Sequence, residues 1–273
     1  MNMVLTGAEG NFGTEFRKLA GAGVAAVNRE GWAHLDDLLA VRDSVVIHAA
    51  SDLRTRAAEA PARLMDSNVM STARLLEAAH RHGVRRFVFL SSCAVYGEDM
   101  RTGEDSPCCP ISINGIGKLL NEKLVAEFCE ANGIEYQILR IFNMYGGNDA
   151  FSIVSRLEQA ARGNRPFVLN NGGVAQRDFI HVADVAAIVL KLVAQPVRHA
   201  CLNVGTGVAT RISALVEWAQ QAHPSLDIRH AQSRAPEAEY SRADTTRLAE
   251  TVDTRFLRIA DYVRNGFKPT AST

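Results

Sequence analysis

Short apolar runs alternate with longer stretches of helical spacing along the 273-residue chain. After Met3-Val4-Leu5, strand-like runs fall at 23–28, 44–50, 86–91, 136–143 and 201–205. Their apolar residues are continuous rather than alternating, as expected of parallel strands covered on both faces. Between them, apolar positions three and four apart predict helices near 12–21, 61–82, 113–132, 149–163, 182–195 and 210–222. Pro61 suits a first helical turn, and Ser112 is placed to cap the helix at 113. Repeated strand–helix units predict an α/β fold, a Rossmann-type doubly wound parallel sheet with right-handed crossovers. Ligands of such sheets lie at the carboxyl ends of the strands, so chemistry is expected at 28–29, 49–52, 91–97 and 143–147.

Composition narrows this picture mainly by exclusion. The chain is 47% hydrophobic, enough for a full core, and its length suits one large domain or two small ones. Thirty basic and thirty acidic residues cancel, with no basic run, so nucleic acid is not an expected partner. No apolar stretch reaches membrane-spanning length and no secretory signal opens the chain, which predicts a cytoplasmic protein with no membrane partner. The cysteines 93, 108, 109, 129 and 201 lack metal-ligand spacing, and their odd number fits free thiols in a reducing compartment. The eight histidines form no ligand pattern, and no metal is expected.

The first strand runs into glycines at 7, 10 and 13, followed by Thr14-Glu15-Phe16-Arg17-Lys18-Leu19-Ala20 with helical spacing. Strand, glycine turn and helix are what a dinucleotide needs. Glycine permits the sharp turn and close approach of the pyrophosphate, and the helix aims free N–H groups and its positive end at phosphate.

Six ordered motifs then identify the chain as similar to the extended short-chain dehydrogenase/reductases, the NAD-dependent epimerase/dehydratase family of nucleotide-sugar enzymes. They are Thr6 to Gly13; Ile47-His48-Ala49-Ala50; Asn68-Val69 ahead of Leu75-Leu76-Glu77-Ala78; Ser91-Ser92-Cys93-Ala94-Val95-Tyr96-Gly97; Leu139 to Gly146; and Arg177 to Asp184, with Asn203-Val204-Gly205-Thr206-Gly207 following. The likeness spans roughly residues 3–215. It implies a dinucleotide-binding part at 1–165 plus about 181–208, and a small C-terminal substrate-binding lobe at 166–180 and 209–273. The implied reaction moves a hydride between NAD or NADP and a carbon of a nucleotide-linked hexose. Implied cofactor contacts are Gly7, Gly10, Asn11, Phe12, Gly13, Asn28, Arg29, Ala49, Ala50, Asn68 and Lys118. Implied substrate contacts are Cys93, Asn143, Tyr145, Arg177 and Arg234, the last on a loose match. Arg29 after Asn28, where NAD-preferring relatives carry Asp, resembles the NADP-preferring pattern, since a guanidinium clamps a 2′-phosphate. The helices near 61–82 and 113–132 resemble those that form the family's homodimer interface.

The chain departs from the family at its catalytic centre. Ser92 and Lys118 match the implied catalytic set, but Asn114 stands four residues before Lys118, where the family has tyrosine. An amide has no accessible titrating proton and cannot act as general acid or base. Three explanations compete: a silent nucleotide binder or regulatory protein; another proton carrier among Cys93, Tyr145, Cys108-Cys109 or a water held by Asn114 and Ser92; or a reaction in which the proton step matters less. Ser92 is followed by Cys93-Ala94 instead of the Asp-Glu of the 4,6-dehydratases. This favours an epimerase or 4-ketoreductase, which needs only a hydride and one proton.

Overall fold

The computed structural model describes residues 2–27, 32, 35–39, 43–100, 103–163, 165–233 and 238–269. Six strands among them form one parallel sheet: β1 (Met3–Thr6), β2 (Val24–Val27), β3 (Val45–His48), β4 (Arg86–Ser92), β5 (Glu135–Ile141) and β6 (Cys201–Val204). Their spatial order is β6-β5-β4-β3-β1-β2. Winding therefore reverses between β1 and β3, and the loops leaving these two strands diverge into a crevice.

The continuous apolar runs are explained by the two cores they serve. Leu5, Ile47, Val88 and Leu139 point to one face, where Phe12 and Phe16 of the helix Asn11–Ala20 meet Val185, Val189 and Leu192 of the helix Val182–Val193. Their sequence neighbours Val4, Val46, Phe87 and Phe89 point the other way, onto Leu75, Leu76, Val125 and Cys129. Successive strand side chains alternate faces, so a strand buried on both sides reads as an unbroken apolar run. The expected helix near 61–82 is one continuous rod, Pro61–Met65 and Ser71–Arg81, with a π-helical turn at Asp66–Met70 between.

A second core gathers Tyr145, Leu157, Phe167, Phe179, Leu215 and Tyr262. Short strands surround it, among them Phe167–Asn170 beside Ile228–Ala231, and Gln176–Asp178 between Ala209–Arg211 and Tyr240–Ser241. The helix Ile153–Gly163, expected within the dinucleotide-binding part ending at 165, joins this second core instead: its Val154, Leu157, Ala160 and Ala161 are buried there rather than on the sheet. No helix among the described residues is long and apolar enough to cross a membrane.

Candidate active site

The glycine turn is held by contacts that tolerate no side chain. Gly7 has φ +70°, and a Cβ there would lie 2.8 Å from the Ala50 nitrogen. A Cβ on Gly13 would lie 2.3 Å from the Gly7 carbonyl oxygen, so the helix Asn11–Ala20 is drawn tight onto the turn. Gly10 is different: its Cβ would meet only that same carbonyl, at 3.1 Å, and otherwise open space. As N-cap it supplies no side-chain acceptor, and no acidic residue lies in the first turn. The free N–H groups and positive end of this helix, with nothing on Gly10 in the way, fit a pyrophosphate. Ala49 and Ala50 form the opposite wall.

Below the turn, His48 is buried between two hydroxyls: its Nδ1 is 2.7 Å from Thr6 Oγ1 and its Nε2 2.9 Å from Thr72 Oγ1. Burial pushes it down to about 3, so the ring is neutral. Thr6 Oγ1 also accepts from the Ala50 nitrogen, which couples His48 to the cofactor wall.

Three expected cofactor side chains have other tasks. The Asn11 amide donates to the Gly146 carbonyl at 2.9 Å and accepts from the Asn148 nitrogen at 2.8 Å, tying the turn to the loop after β5. The Phe12 ring stacks on Phe16 inside the core, centroids 5.5 Å apart. At these two positions only the backbone remains for phosphate. Asn68 reaches from the π-helical turn to grip Asp52 at both its nitrogen (2.6 Å) and its carbonyl (3.1 Å), fixing the loop after β3. Asn28 and Arg29 lie outside the described residues, as does Arg234.

The catalytic residues expected from the motifs converge. β4 ends at Ser92, whose hydroxyl accepts from the Ala94 nitrogen at 3.2 Å. The helix Ile113–Asn132 starts at Ser112, which caps it by accepting from the Gly115 nitrogen at 3.1 Å. A Cβ on Gly115 would lie 2.4 Å from the Ala94 carbonyl oxygen, so this helix start is pressed onto the Ser92–Val95 turn with its register fixed. Asn114 is exposed there. One turn on, half-buried Lys118 donates to the Leu90 carbonyl at 2.7 Å, with its ammonium 4.8 Å from the centre of the Phe89 ring. Burial pushes Lys118 down to about 8.

Two nearby phenols are held away from the Ser92–Lys118 crevice by their own partners. Tyr96 is buried, donates to Asn203 Oδ1 at 2.7 Å and accepts from Arg140 at 2.9 Å. Tyr145, expected at the substrate, is a correction: it is fully buried in the second core, its hydroxyl on the Leu257 carbonyl at 3.2 Å. The reason is the two-residue strand Met144–Tyr145, which pairs with Ile180–His181 and turns the ring inward. Burial raises both phenols above their ordinary value. Cys93 is buried and pushed up to about 11 by that burial.

The polar support behind the site joins residues of three motifs through Glu122, which none of the motifs contains. Ser91 donates to Glu122 at 2.5 Å, Glu122 pairs with buried Arg140 at 2.8 Å, and the chain continues through Tyr96 to Asn203. On the substrate side, Asn143 donates to the Asp178 carbonyl at 2.8 Å and faces Ser241 Oγ at 3.3 Å. Arg177 lies beside it on the strand Gln176–Asp178, paired with Ser241 in register. The Asp178 carboxylate accepts from Thr206, Gly207 and Ala243, binding three segments under this corner. Beyond Arg177's strand opens a cavity of about 230 Å³ lined by Arg156, Asn170, Asn171, Val174, Ile212 and Glu239. The motifs Arg177-Asp178 and Asn203-Val204-Gly205 were the available signal for this scaffold.

Comparison with known proteins bears on the family and the fold. UDP-glucose 4-epimerase of Corynebacterium glutamicum is 31% identical over 203 residues, covering 67% of this chain and 62% of that protein. The chain thus spans somewhat under two thirds of that relative. The structure of UDP-glucose 4-epimerase from Thermotoga maritima with UDP-glucose superposes with a TM-score of 0.80 at 25% identity, covering 92% of each chain. RMD from Pseudomonas aeruginosa, complexed with NADPH, gives 0.81 at 26% identity over 98% of each chain. Residues 4–205 match the model of the NAD dependent epimerase/dehydratase family, and the chain belongs to that family.

Proposed function

We propose that this protein binds NADP or NAD across the glycine turn and modifies a nucleotide-diphosphate hexose by hydride transfer, as an epimerase or 4-ketoreductase. The observation that carries this reading is the convergence of an open, uncapped helix N-terminus with Ser92 and Lys118 at the mouth of one crevice. The cofactor, when bound, supplies hydride acceptance and return. Gly7, Gly10 and Gly13 with Ala49 and Ala50 hold it, and Arg29 favours the 2′-phosphate. Ser92 hydrogen-bonds the reacting sugar oxygen. Asn143 and Arg177 hold the diphosphate, and the cavity beyond them takes the base. The smaller lobe closes over the sugar. Cys93 and Ala94 carry no carboxylate, which separates this site from a 4,6-dehydratase.

A second reading, a silent nucleotide binder, is favoured by Asn114, which is exposed and has no titrating proton. The same protein is a homodimer in our reading, through the exposed Met70 on one helix and Ile113, Ile116 and Leu120 on the next.

One experiment separates the readings. Purified protein is loaded with each cofactor and mixed with a panel of UDP-, dTDP- and GDP-hexoses and their 4-keto forms, and nicotinamide absorbance is followed. Hydride transfer by wild type supports the enzyme. Cofactor and nucleotide binding without transfer, together with activity appearing in Asn114→Tyr, supports the silent binder.

A further inference from the structure

We propose that Lys118 is itself the acid–base group of this site, acting directly on the sugar hydroxyl in place of the phenol that Asn114 replaces. This rests on the hydride-transfer reading above.

The geometry leads here by four steps. First, Asn114 and Lys118 are one helical turn apart on the same face, and the contact of Gly115 with Ala94 fixes that face against the Ser92 turn. Second, four other titratable groups near the site are committed, while Cys108 directs its thiol to the Ser106 carbonyl at 3.9 Å and Cys109 is exposed on the loop before the helix. Tyr96 is locked between Asn203 and Arg140, and Tyr145 lies in another core. Cys93 is a buried thiol, and His48 is held between two threonines. Third, Lys118 has no ion pair among the described residues; its one hydrogen bond goes to a backbone carbonyl, Leu90. Glu122, one turn further along its own helix, is taken by Arg140 and Ser91. From β3 the nearest titratable group is His48, which is uncharged, and β4 presents the Phe89 ring. Fourth, a neutral amine can keep a hydrogen bond to Leu90 and still turn its lone pair outward, so the anchor serves both protonation states. Burial without an ion pair places Lys118 near about 8, where both states are populated in mildly alkaline solution.

The step balances. When the sugar is oxidised, the hydroxyl proton passes to the neutral Lys118 amine and the C–O bond becomes a carbonyl. The oxidised nicotinamide, when bound, would supply the acceptor for the carbon-bound hydrogen and its electron pair. Ketosugar, ammonium and reduced nicotinamide result, and the return step reverses each transfer.

The chain has only five lysines, at 18, 118, 123, 191 and 268, which makes a direct test practical. Reductive ¹³C-methylation and NMR, with Lys118→Arg for assignment, should show Lys118 titrating well below the other four. In turnover, sugar oxidation should rise with pH through that ionisation and ketosugar reduction should fall through it. Lys118→Arg keeps a positive charge but cannot deprotonate. It should lose the pH limb and slow by about 100-fold or more, the size of a general acid–base contribution. Lys118→Ala should be rescued by small primary amines. A pH limb that survives in Lys118→Arg, or a Lys118 that titrates with the other lysines, overturns the assignment while leaving the enzyme reading intact. A wild type that transfers no hydride with any of the sugars overturns both.

Discussion

Acidification should weaken this fold through one histidine, and the size of the effect follows from its surroundings. His48 is 1% exposed and pushed down to about 3 by burial, whereas an unfolded histidine titrates near 6.5. The folded pKa is the lower one, so the unfolded chain takes up a proton that the folded chain refuses. Stability from this group is complete above the unfolded value and is lost as pH falls below it, down to the folded value. Between pH 7 and pH 5 the loss works out at about 2 kcal/mol, since each unit of pH below 6.5 costs ~1.4 kcal/mol. The effect reaches the cofactor, because Thr6 Oγ1 joins His48 to the Ala50 nitrogen. The raised carboxyls of Asp178 and Asp184 act in the opposite sense, and depressed His181 in the same sense, so a single titration is not diagnostic. His48→Gln, neutral at every pH, isolates the term. Urea unfolding of both proteins at several pH values should show wild type losing about 2 kcal/mol more than the variant over that interval. Parallel losses in the two proteins would refute the argument.

Other expectations concern the turn, the diphosphate corner, the buried ion pair and the helix face. Gly13→Ala sets a Cβ 2.3 Å from the Gly7 carbonyl oxygen and should cost ~1–3 kcal/mol in overpacking, read as roughly tenfold weaker cofactor binding by fluorescence titration. Arg177→Ala should weaken nucleotide-diphosphate binding by ~1.5–3 kcal/mol in calorimetry, the worth of one charge-assisted hydrogen bond. Glu122→Gln strands the Arg140 charge, 7% exposed, and should cost ~3–5 kcal/mol in denaturant unfolding. Leu120→Glu, on an exposed position, should leave the melting temperature of the monomer unchanged but convert dimer to monomer in sedimentation velocity.

The sequence pattern carried most of the sheet because its strands are buried on both faces. Val45, Val46 and Ile47 are all buried, so burial and hydrophobicity coincide there. The second core was less legible. Its strands run two to four residues, too short for alternation to stand out, even though Phe167–Asn170 does alternate buried and exposed. Side-chain direction was the other limit. Asn11 and Tyr145 occupy positions at strand ends where ligands gather, and only the fold shows one amide spent on a neighbouring loop and one ring turned into a core. Glu122 and Arg140 are 18 residues apart in the chain, and only the helix Ile113–Asn132 laid across β4 and β5 brings them together and buries them as a pair.

That helix also explains its own weak start. Gly115 and Gly117 lie within its first two turns, each costing ~1 kcal/mol against alanine in helix propensity. Gly115 has a steric reason, the Ala94 carbonyl oxygen 2.4 Å from where a Cβ would be. Gly117 has none among the described residues: a Cβ there would find nothing within 4 Å. It borders Ile113, Ile116 and Leu120, which are apolar and exposed. A helix from a second copy, packed closely on this stripe, gives Gly117 the reason that the described residues withhold and covers the three apolar neighbours at once. The helix is continuous from Ile113 to Asn132, so such packing would steady the turn that presents Asn114 and Lys118 to the crevice. In this reading the two glycines serve one end. One seats the helix on the Ser92 turn, and the other would admit a partner helix at close range, so a Gly117→Ala variant should loosen the dimer while leaving the fold of each copy intact.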